Sequence, residues 1–373
     1  MPFLDEVKTA LPSEWYYDPQ HYERELESIW YQDWVCVARA EEIPNVGDFI
    51  VKKVGNQSAM IVRGSNNEIS AFHNTCRHRG ATICTKNSGH FANGRIICPY
   101  HTWTYALSGE LVATPYRTDS DDFSMSNYSL YHIPIDIWGG FIFLNLNKKT
   151  GQSLEGFLGE EGNNLSNWPL DQMTSVHQET KTLKFNWKLF WENYNECYHC
   201  PRTHPELCKL VPVYNKGLVS RDELSDEEQG IKRGTGDGVE TWTIDGKIQL
   251  PIIPGPTAEE RARGMVYASF TASMYLVGHP DYVRSVRIFP TGPETTDLVI
   301  DWLLMPGTEE KHADKLDHML ELGRLVVEQD GAACELNQEG LRSKAHISGI
   351  LVAQEYWVWE FHEWVKSRLD GNI

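Results

Sequence analysis

Two short segments constrain this chain more than any other part of its sequence: Cys76-Arg77-His78 and Cys98-Pro99-Tyr100-His101. Each offers one thiolate and one imidazole, and turn-forming residues flank both. Four such donors on two short loops make a four-ligand metal site. A fold that carries it must bring both loops to one place. The stretch from about 40 to 145 is suited to that, with short alternating runs at 49–52 and 59–62. Turn residues at 55–56, 64–67, 89, 93–94 and 108–109 separate the runs. This spacing predicts a small antiparallel β-domain. Zinc also takes two cysteines and two histidines. Classical zinc fingers, however, draw Cys with Cys and His with His from separate elements, whereas here each loop supplies one of each. A [2Fe–2S] centre with both cysteines on one iron and both histidines on the other requires that distribution.

The surrounding residues carry a family resemblance. His73-Asn74-Thr75-Cys76-Arg77-His78-Arg79-Gly80 and Cys98-Pro99-Tyr100-His101-Thr102-Trp103 closely resemble the two cluster loops of Rieske oxygenases. Electron-transport Rieske proteins usually add a disulfide cysteine to each loop, and the second loop here has Pro99 and Tyr100 instead. The resemblance therefore points to the oxygenase branch, with Cys76, His78, Cys98 and His101 holding the cluster. Of the eight cysteines, Cys36 and Cys208 have no histidine two or three residues after them, and Cys84 reads as a buried thiol. Reduced or metal-bound thiols are expected rather than a disulfide framework.

A second constellation lies at 192–204, Glu-Asn-Tyr-Asn-Glu-Cys-Tyr-His-Cys-Pro-Arg-Thr-His. His199 and His204 are five apart across Pro201, which should break the preceding helix. A histidine pair is often structural, but Glu196 precedes His199 by three, and that pattern resembles the iron motif of Rieske oxygenases. An O2-activating mononuclear iron needs two histidines and one carboxylate on one face. In the family the carboxylate lies on a late helix, and alignment on Asn337-Gln338-Glu339-Gly340-Leu341 places Asp330 there, with Glu328 and Glu335 as competitors. By the same resemblance Glu196 is no ligand. It links a Rieske histidine of one subunit to an iron-ligand histidine of the next. Asn193 and Tyr198 are read as orienting the site. Glu196 within Glu-Cys-Tyr-His-Cys resembles the glycine betaine, choline and carnitine oxygenase branch, whereas most aromatic-ring dioxygenases use Asp there.

The chain has 373 residues, enough for two domains. Residues 14–34 are read as a helix with Asp18 as N-cap and Tyr22, Leu26, Ile29, Trp30 and Trp34 as its apolar stripe. Helical spacing recurs at 179–198, 309–342 and 355–365, and strand patterns run through 240–305. The expected class is α+β. An N-terminal helical segment (1–40) precedes an antiparallel β Rieske domain (41–145), and a helix-grip catalytic domain (146–373) has an antiparallel sheet covered by helices.

A Rieske cluster passes one electron at a time, so a source is needed. Gly234-Thr-Gly-Asp-Gly238 only mimics a dinucleotide fingerprint, since Val239 takes the sixth position and no strand precedes it. Plant-type ferredoxin spacing is missing too. The expected partner is a separate NAD(P)H-dependent flavin/iron–sulfur reductase, and O2 is the cosubstrate. The resemblance also implies a homotrimer, because in this family the working cluster–iron pair forms across a subunit interface. The net charge of −18, from 34 basic and 52 acidic residues, argues against nucleic-acid binding and is compatible with a cationic substrate. No apolar run approaches the ~20 residues of a membrane span, and no signal-peptide pattern opens the chain, so a cytoplasmic enzyme is expected.

Three functional readings follow. The first is monooxygenation and N-demethylation of a small quaternary ammonium or N-methyl compound, with Trp242, Tyr267, Phe270, Tyr275 and Trp302 as possible cation–π partners. The second is hydroxylation or O-demethylation of an aromatic compound, with the same rings as an apolar pocket. The third, a Rieske ferredoxin, needs only 41–145 and leaves the rest of the chain without a purpose.

Overall fold

The computed structural model describes residues 3–219 and 235–371, so Gly234, the first glycine of the fingerprint mimic, lies outside the described residues. The chain forms two compact units, Trp30–Phe157 and Met1–Ile29 with Leu158–Ile373.

The smaller unit is all antiparallel. One sheet runs His132–Ile133, Ile69–His73, Gln57–Arg63, Asp48–Val54, Ser88–His90, and a second runs Ile135–Trp138, Phe141–Asn145, Trp34–Arg39. A third, Arg95–Ile97, Thr104–Ala106, Leu111–Ala113, carries the second metal loop between its first two strands. Strand Trp34–Arg39 belongs to this unit because it pairs along its length with Phe141–Asn145. Met60, Phe72, Ile96, Tyr105 and Leu107 pack with Cys76 and Cys98 in one core. Gly109 is required in the turn after Ala106. Its φ is +84°, and a Cβ there would lie 2.4 Å from Phe72.

The larger unit is built on a five-stranded sheet ordered Thr174–Leu183, Thr295–Leu304, Val283–Gly292, Met274–Gly278, Val266–Phe270. Val277 pairs with Arg284 and Arg284 with Trp302, while Tyr275 pairs with Ser269 and Val286. Side chains alternate along strands, so Tyr267, Ser269, Tyr275, Arg284 and Leu298 emerge on one face. The helix Leu316–Leu341 covers that face, with Gly323 close over Arg284 and Trp302, and Gly331 over Leu183. Among the described residues, no helix is long and apolar enough to cross a membrane.

Several element boundaries differ from the expected ones. The N-terminal helical stretch is three pieces: a 3-10 turn Ser13–Tyr16, a helix Pro19–Glu25 and a π-turn Leu26–Trp30. Pro19 at the first helical position fixes the start, and Asp18 caps it by accepting from the Gln20 and His21 amides. Trp34 completes the apolar stripe from a strand instead. Residues 179–183 are strand with alternating burial, and the helix begins at Trp187, capped by Asn186. Strands begin only at Val266. Pro251, Pro254 and Pro256 interrupt any earlier one, and Thr257 with Glu260 forms a capping box on the helix Ala258–Arg263. A short turn Thr308–Lys311 precedes the long helix, which starts at Leu316, and the last helix runs Tyr356–Leu369.

The larger unit also buries an ion pair. Lys188 and Glu25 are both 0% exposed and 2.5 Å apart. Trp187 Nε1 donates to the other carboxylate oxygen, while Lys188 also donates to Asn186 Oδ1 and the Trp15 carbonyl. This ties the N-terminal helix to the start of helix Trp187–Tyr194.

Candidate metal centres

In the smaller unit, each metal loop is closed by backbone hydrogen bonds. Cys76 N–H donates to Ala81 and Gly80 N–H returns to Cys76. Cys98 N–H donates to Trp103 and Thr102 N–H returns to Cys98. Asn74 pins the first loop, its Oδ1 accepting from the Ile83 and Cys84 amides and its Nδ2 donating to the Cys84 carbonyl. Cys76 and Cys98 are buried, whereas His78 is exposed and His101 half-buried. The two imidazoles lie together at 4.6 Å between centroids, and His78 stacks on Trp103. Burial raises the Cys76 thiol above its ordinary value, and neighbouring Cys98 raises it further against the Tyr105 and His78 contacts that lower it. The donors therefore sort themselves into a sulfur pair inside and a nitrogen pair at the rim, which fits a cluster with chemically distinct irons. Tyr105 Oη lies 3.2 Å from Cys76 Sγ, within reach of a ligand sulfur. Cys84 is apart from this set: it contacts Met60 Sδ, and burial pushes its thiol up to about 12.

In the larger unit, His199, His204 and Asp330 converge. Nε2 of His199 is 3.2 Å from Nε2 of His204, and Asp330 Oδ1 lies 3.4 and 2.8 Å from the two. Three basic or anionic atoms this close require a proton or a cation among them. Burial would raise Asp330, yet hydrogen bonds from both imidazoles bring it down to about 2. Burial opposes the charge on His199, and Asp330 and Glu196 nevertheless lift it to about 9. The outer nitrogens are fixed as well. His199 Nδ1 faces Glu196 Oε1 at 2.5 Å, and His204 Nδ1 faces Gln329 Oε1 at 2.7 Å. With protons on Nδ1, both Nε2 lone pairs point inward, as a metal requires. Gln329 is held in turn by its amide donating to Glu206. The donor set fits a 2-His-1-carboxylate iron.

The other sequence readings fare differently. Asn193 belongs to the site, its amide 3.3 Å from His199 Nε2. Tyr198 does not, being 58% exposed. Glu328 is exposed, and Glu335 accepts from the Lys184 amide, so neither competes with Asp330. The expectation of reduced thiols is corrected at one pair. Cys197 and Cys200 form a disulfide, while the other six cysteines are reduced and buried. The Cys200 N–H donates to the Cys197 carbonyl, and that tight turn brings the sulfurs into reach. Cys200 Sγ is 3.8 Å from His199 Nε2, but oxidation leaves it no thiolate to offer a metal.

A cavity of about 660 Å³ opens on the three convergent residues. Tyr194, Tyr214, Trp242, Tyr267 and Tyr275 line it. Neighbouring rings lie 4.4 to 6.3 Å apart between centroids, in the chain Tyr275, Tyr194, Tyr267, Trp242, Tyr214, and Tyr194 and Tyr214 hydrogen-bond to Ser269 and Tyr267. Of the five aromatics singled out from sequence, Phe270 and Trp302 are core residues: Phe270 is on the opposite sheet face, and Trp302 is sealed beneath Gly323. Gln329, Tyr194 and Tyr214 were not foreseen as site residues. Tyr194 lies within the helical spacing read at 179–198 and Gln329 directly precedes Asp330, while Tyr214 carried no signal.

Comparison with known proteins gives a consistent result. The ring hydroxylating alpha subunit (catalytic domain) family matches residues 170–371, and the Rieske [2Fe-2S] domain family matches 33–128. The glycine betaine monooxygenase oxygenase subunit of Chromohalobacter salexigens is 29% identical, covering 97% of this chain and 87% of its own length. The chloroplastic choline monooxygenase of Arabidopsis thaliana is 28% identical, covering 94% and 81%. Among solved structures, a quaternary ammonium Rieske monooxygenase of carnitine oxidation superimposes with a TM-score of 0.77 at 22% identity, covering 97% and 96%.

Proposed function

The chain belongs to the ring-hydroxylating α-subunit family of Rieske oxygenases, enzymes with a Rieske [2Fe–2S] domain and a catalytic domain that binds mononuclear iron, and from this premise we propose that its substrate is a small quaternary ammonium or N-methyl compound. The observation that carries the substrate reading is the ring of Tyr194, Tyr214, Trp242, Tyr267 and Tyr275 in the cavity beside His199, His204 and Asp330. The faces of aromatic rings attract a cation that cannot hydrogen-bond, and the attraction grows when water is excluded. The relatives named for glycine betaine and choline support it, as does Glu196 in place of aspartate.

We assign Cys76, His78, Cys98 and His101 to the cluster and His199, His204 and Asp330 to the iron. Bound there, the iron supplies O2 activation, with electrons from a separate NAD(P)H-dependent reductase. The protein's own contribution is positional. Glu196 and Gln329 hold protons on the outer nitrogens of His199 and His204, keeping the inner lone pairs free. Asn193 orients the His199 edge. The tyrosine ring turns an N-methyl group toward the triad and excludes water. Insertion of one oxygen atom into an N-methyl C–H bond, with the other leaving as water, consumes two electrons and two protons. The N-hydroxymethyl product then releases formaldehyde and the demethylated amine.

Glu196 also serves as the link from a neighbouring subunit's cluster in a homotrimer, so an active monomer by light scattering would refute that part. The substrate reading is tested by reductase-coupled turnover of choline, glycine betaine, carnitine, stachydrine, benzoate and vanillate. Formaldehyde from an N-methyl substrate is expected, and turnover confined to the aromatic acids would end the reading.

A further inference from the structure

The sheet behind the cavity buries two arginines with opposite circumstances. Arg287 points to one face and pairs with Asp301 at 2.7 Å. Arg284 points to the other face, lines the cavity, and is 5% exposed. Among the described residues it has neither a hydrogen bond nor a carboxylate in ion-pair reach, and its Nε is buried without a partner. Its contacts across the sheet are neutral, Val277 and Trp302, with Tyr275 and Tyr267 on the same face, and the Asp330 carboxylate acts on it through space without reaching ion-pair distance. A guanidinium cannot shed its charge as a lysine can, and leaving one buried and unpaired is strongly unfavourable. The fold nonetheless accommodates it. Gly323 in the covering helix has no side chain where a Cβ would come within 3.1 Å of Arg284 Nη1.

Asp330 lies seven residues further along that helix, about 10 Å at 1.5 Å per residue. The helix position over Arg284 and the triad carboxylate are thus about the length of one small molecule apart along the helix, and Arg284, the tyrosines and the triad all line the same cavity.

We propose that Arg284 binds the carboxylate of the substrate, and hence that the molecule oxidised is a zwitterion, its methylated ammonium among the tyrosines and its carboxylate against the guanidinium. The zwitterion, unlike the arginine assignment, rests on the quaternary ammonium reading above. A planar, forked donor set matches a carboxylate in two parallel hydrogen bonds, and an alcohol in the same place leaves the charge unanswered. The enzyme should therefore separate a betaine from the corresponding alcohol.

The test uses two pairs that differ in the carboxylate: glycine betaine against choline, and benzoate against benzyl alcohol. Wild type and the variants Arg284→Met and Arg284→Lys are compared as holoenzymes with equal Rieske absorbance and iron content. Wild type should favour the carboxylate member by about 100-fold in kcat/KM, the discrimination expected when a buried charge loses its partner. Arg284→Met should abolish the preference by raising KM for the carboxylate member while the alcohol changes little, and Arg284→Lys should keep part of it. A preference that survives in Arg284→Met, or its absence in wild type, overturns the assignment. If the preference and its loss occur with benzoate alone, Arg284 stands as the carboxylate receptor and the quaternary ammonium reading fails.

Discussion

Gln329 offers the sharpest test of how the iron site is built. Its Oε1 accepts from His204 Nδ1 at 2.7 Å, and His204 is 2% exposed, so no water can replace that acceptor. In Gln329→Leu the histidine has two options. It can keep its proton on Nδ1 and leave a buried donor unpaired, which costs about 1–3 kcal/mol. Otherwise it moves the proton to Nε2, the atom facing Asp330 and His199, and then cannot bind a metal until it moves back. Either route weakens iron binding by roughly 10–100-fold, the range for loss of such an outer partner, or ~1.4–2.7 kcal/mol. The assay is iron retention against a graded chelator, with the Rieske EPR signal of the same sample as internal control. The mononuclear iron should be lost at lower chelator while the cluster signal stays constant. Gln329→Glu restores an acceptor for His204 but sets a second carboxylate against Glu206, so it should recover only part of the iron retention lost in Gln329→Leu. Equal iron retention in Gln329→Leu and wild type would refute the argument that this side chain sets the His204 tautomer.

Three further outcomes are expected. Lys188→Met leaves the fully buried Glu25 carboxylate with only His21 and Trp187 and should destabilise the larger unit by about 3 kcal/mol, read as a lowered urea midpoint, with Glu25→Gln in the same chain recovering part of the loss. Tyr105→Phe removes a hydroxyl 3.2 Å from Cys76 Sγ that stabilises the more negative reduced cluster; at about 1 kcal/mol this lowers the one-electron midpoint potential by ~40 mV in voltammetry. Burial pushes His279 down to about 3, against the Gly264 carbonyl that accepts from its Nδ1. The unfolded chain takes up a proton near the ordinary ~6.5 that the folded chain refuses, so stability falls as pH drops below that value. The loss should reach about 2 kcal/mol at pH ~5 and be absent from His279→Gln, a difference unaffected by Asp281, whose raised value near 6 acts in the opposite direction in both proteins.

What the sequence settled by itself is what short-range spacing can encode. The Cys76/His78 and Cys98/His101 loops, and His199 with His204, lie within single turns, where backbone geometry fixes which donors share a side. The mixed Cys/His loops read as a four-ligand metal site for that reason, whereas the mononuclear-iron reading of His199 and His204 came through the family resemblance. Asp330 was legible only through the family resemblance, because 126 residues separate it from His204 and helix packing alone brings it there. The substrate pocket depended wholly on tertiary structure. Phe270 and Tyr275 look equivalent in composition, yet strand alternation and register send them to opposite faces of the sheet. Trp302 shares the cavity face but is sealed by the helix passing at Gly323. Gln329 next to Asp330 and Arg284 on its strand carry no local signature, since their meaning lies in what they meet, or fail to meet, across the fold. Nothing in one dimension distinguishes Arg287, which pairs with Asp301, from Arg284, which no carboxylate among the described residues meets at ion-pair distance.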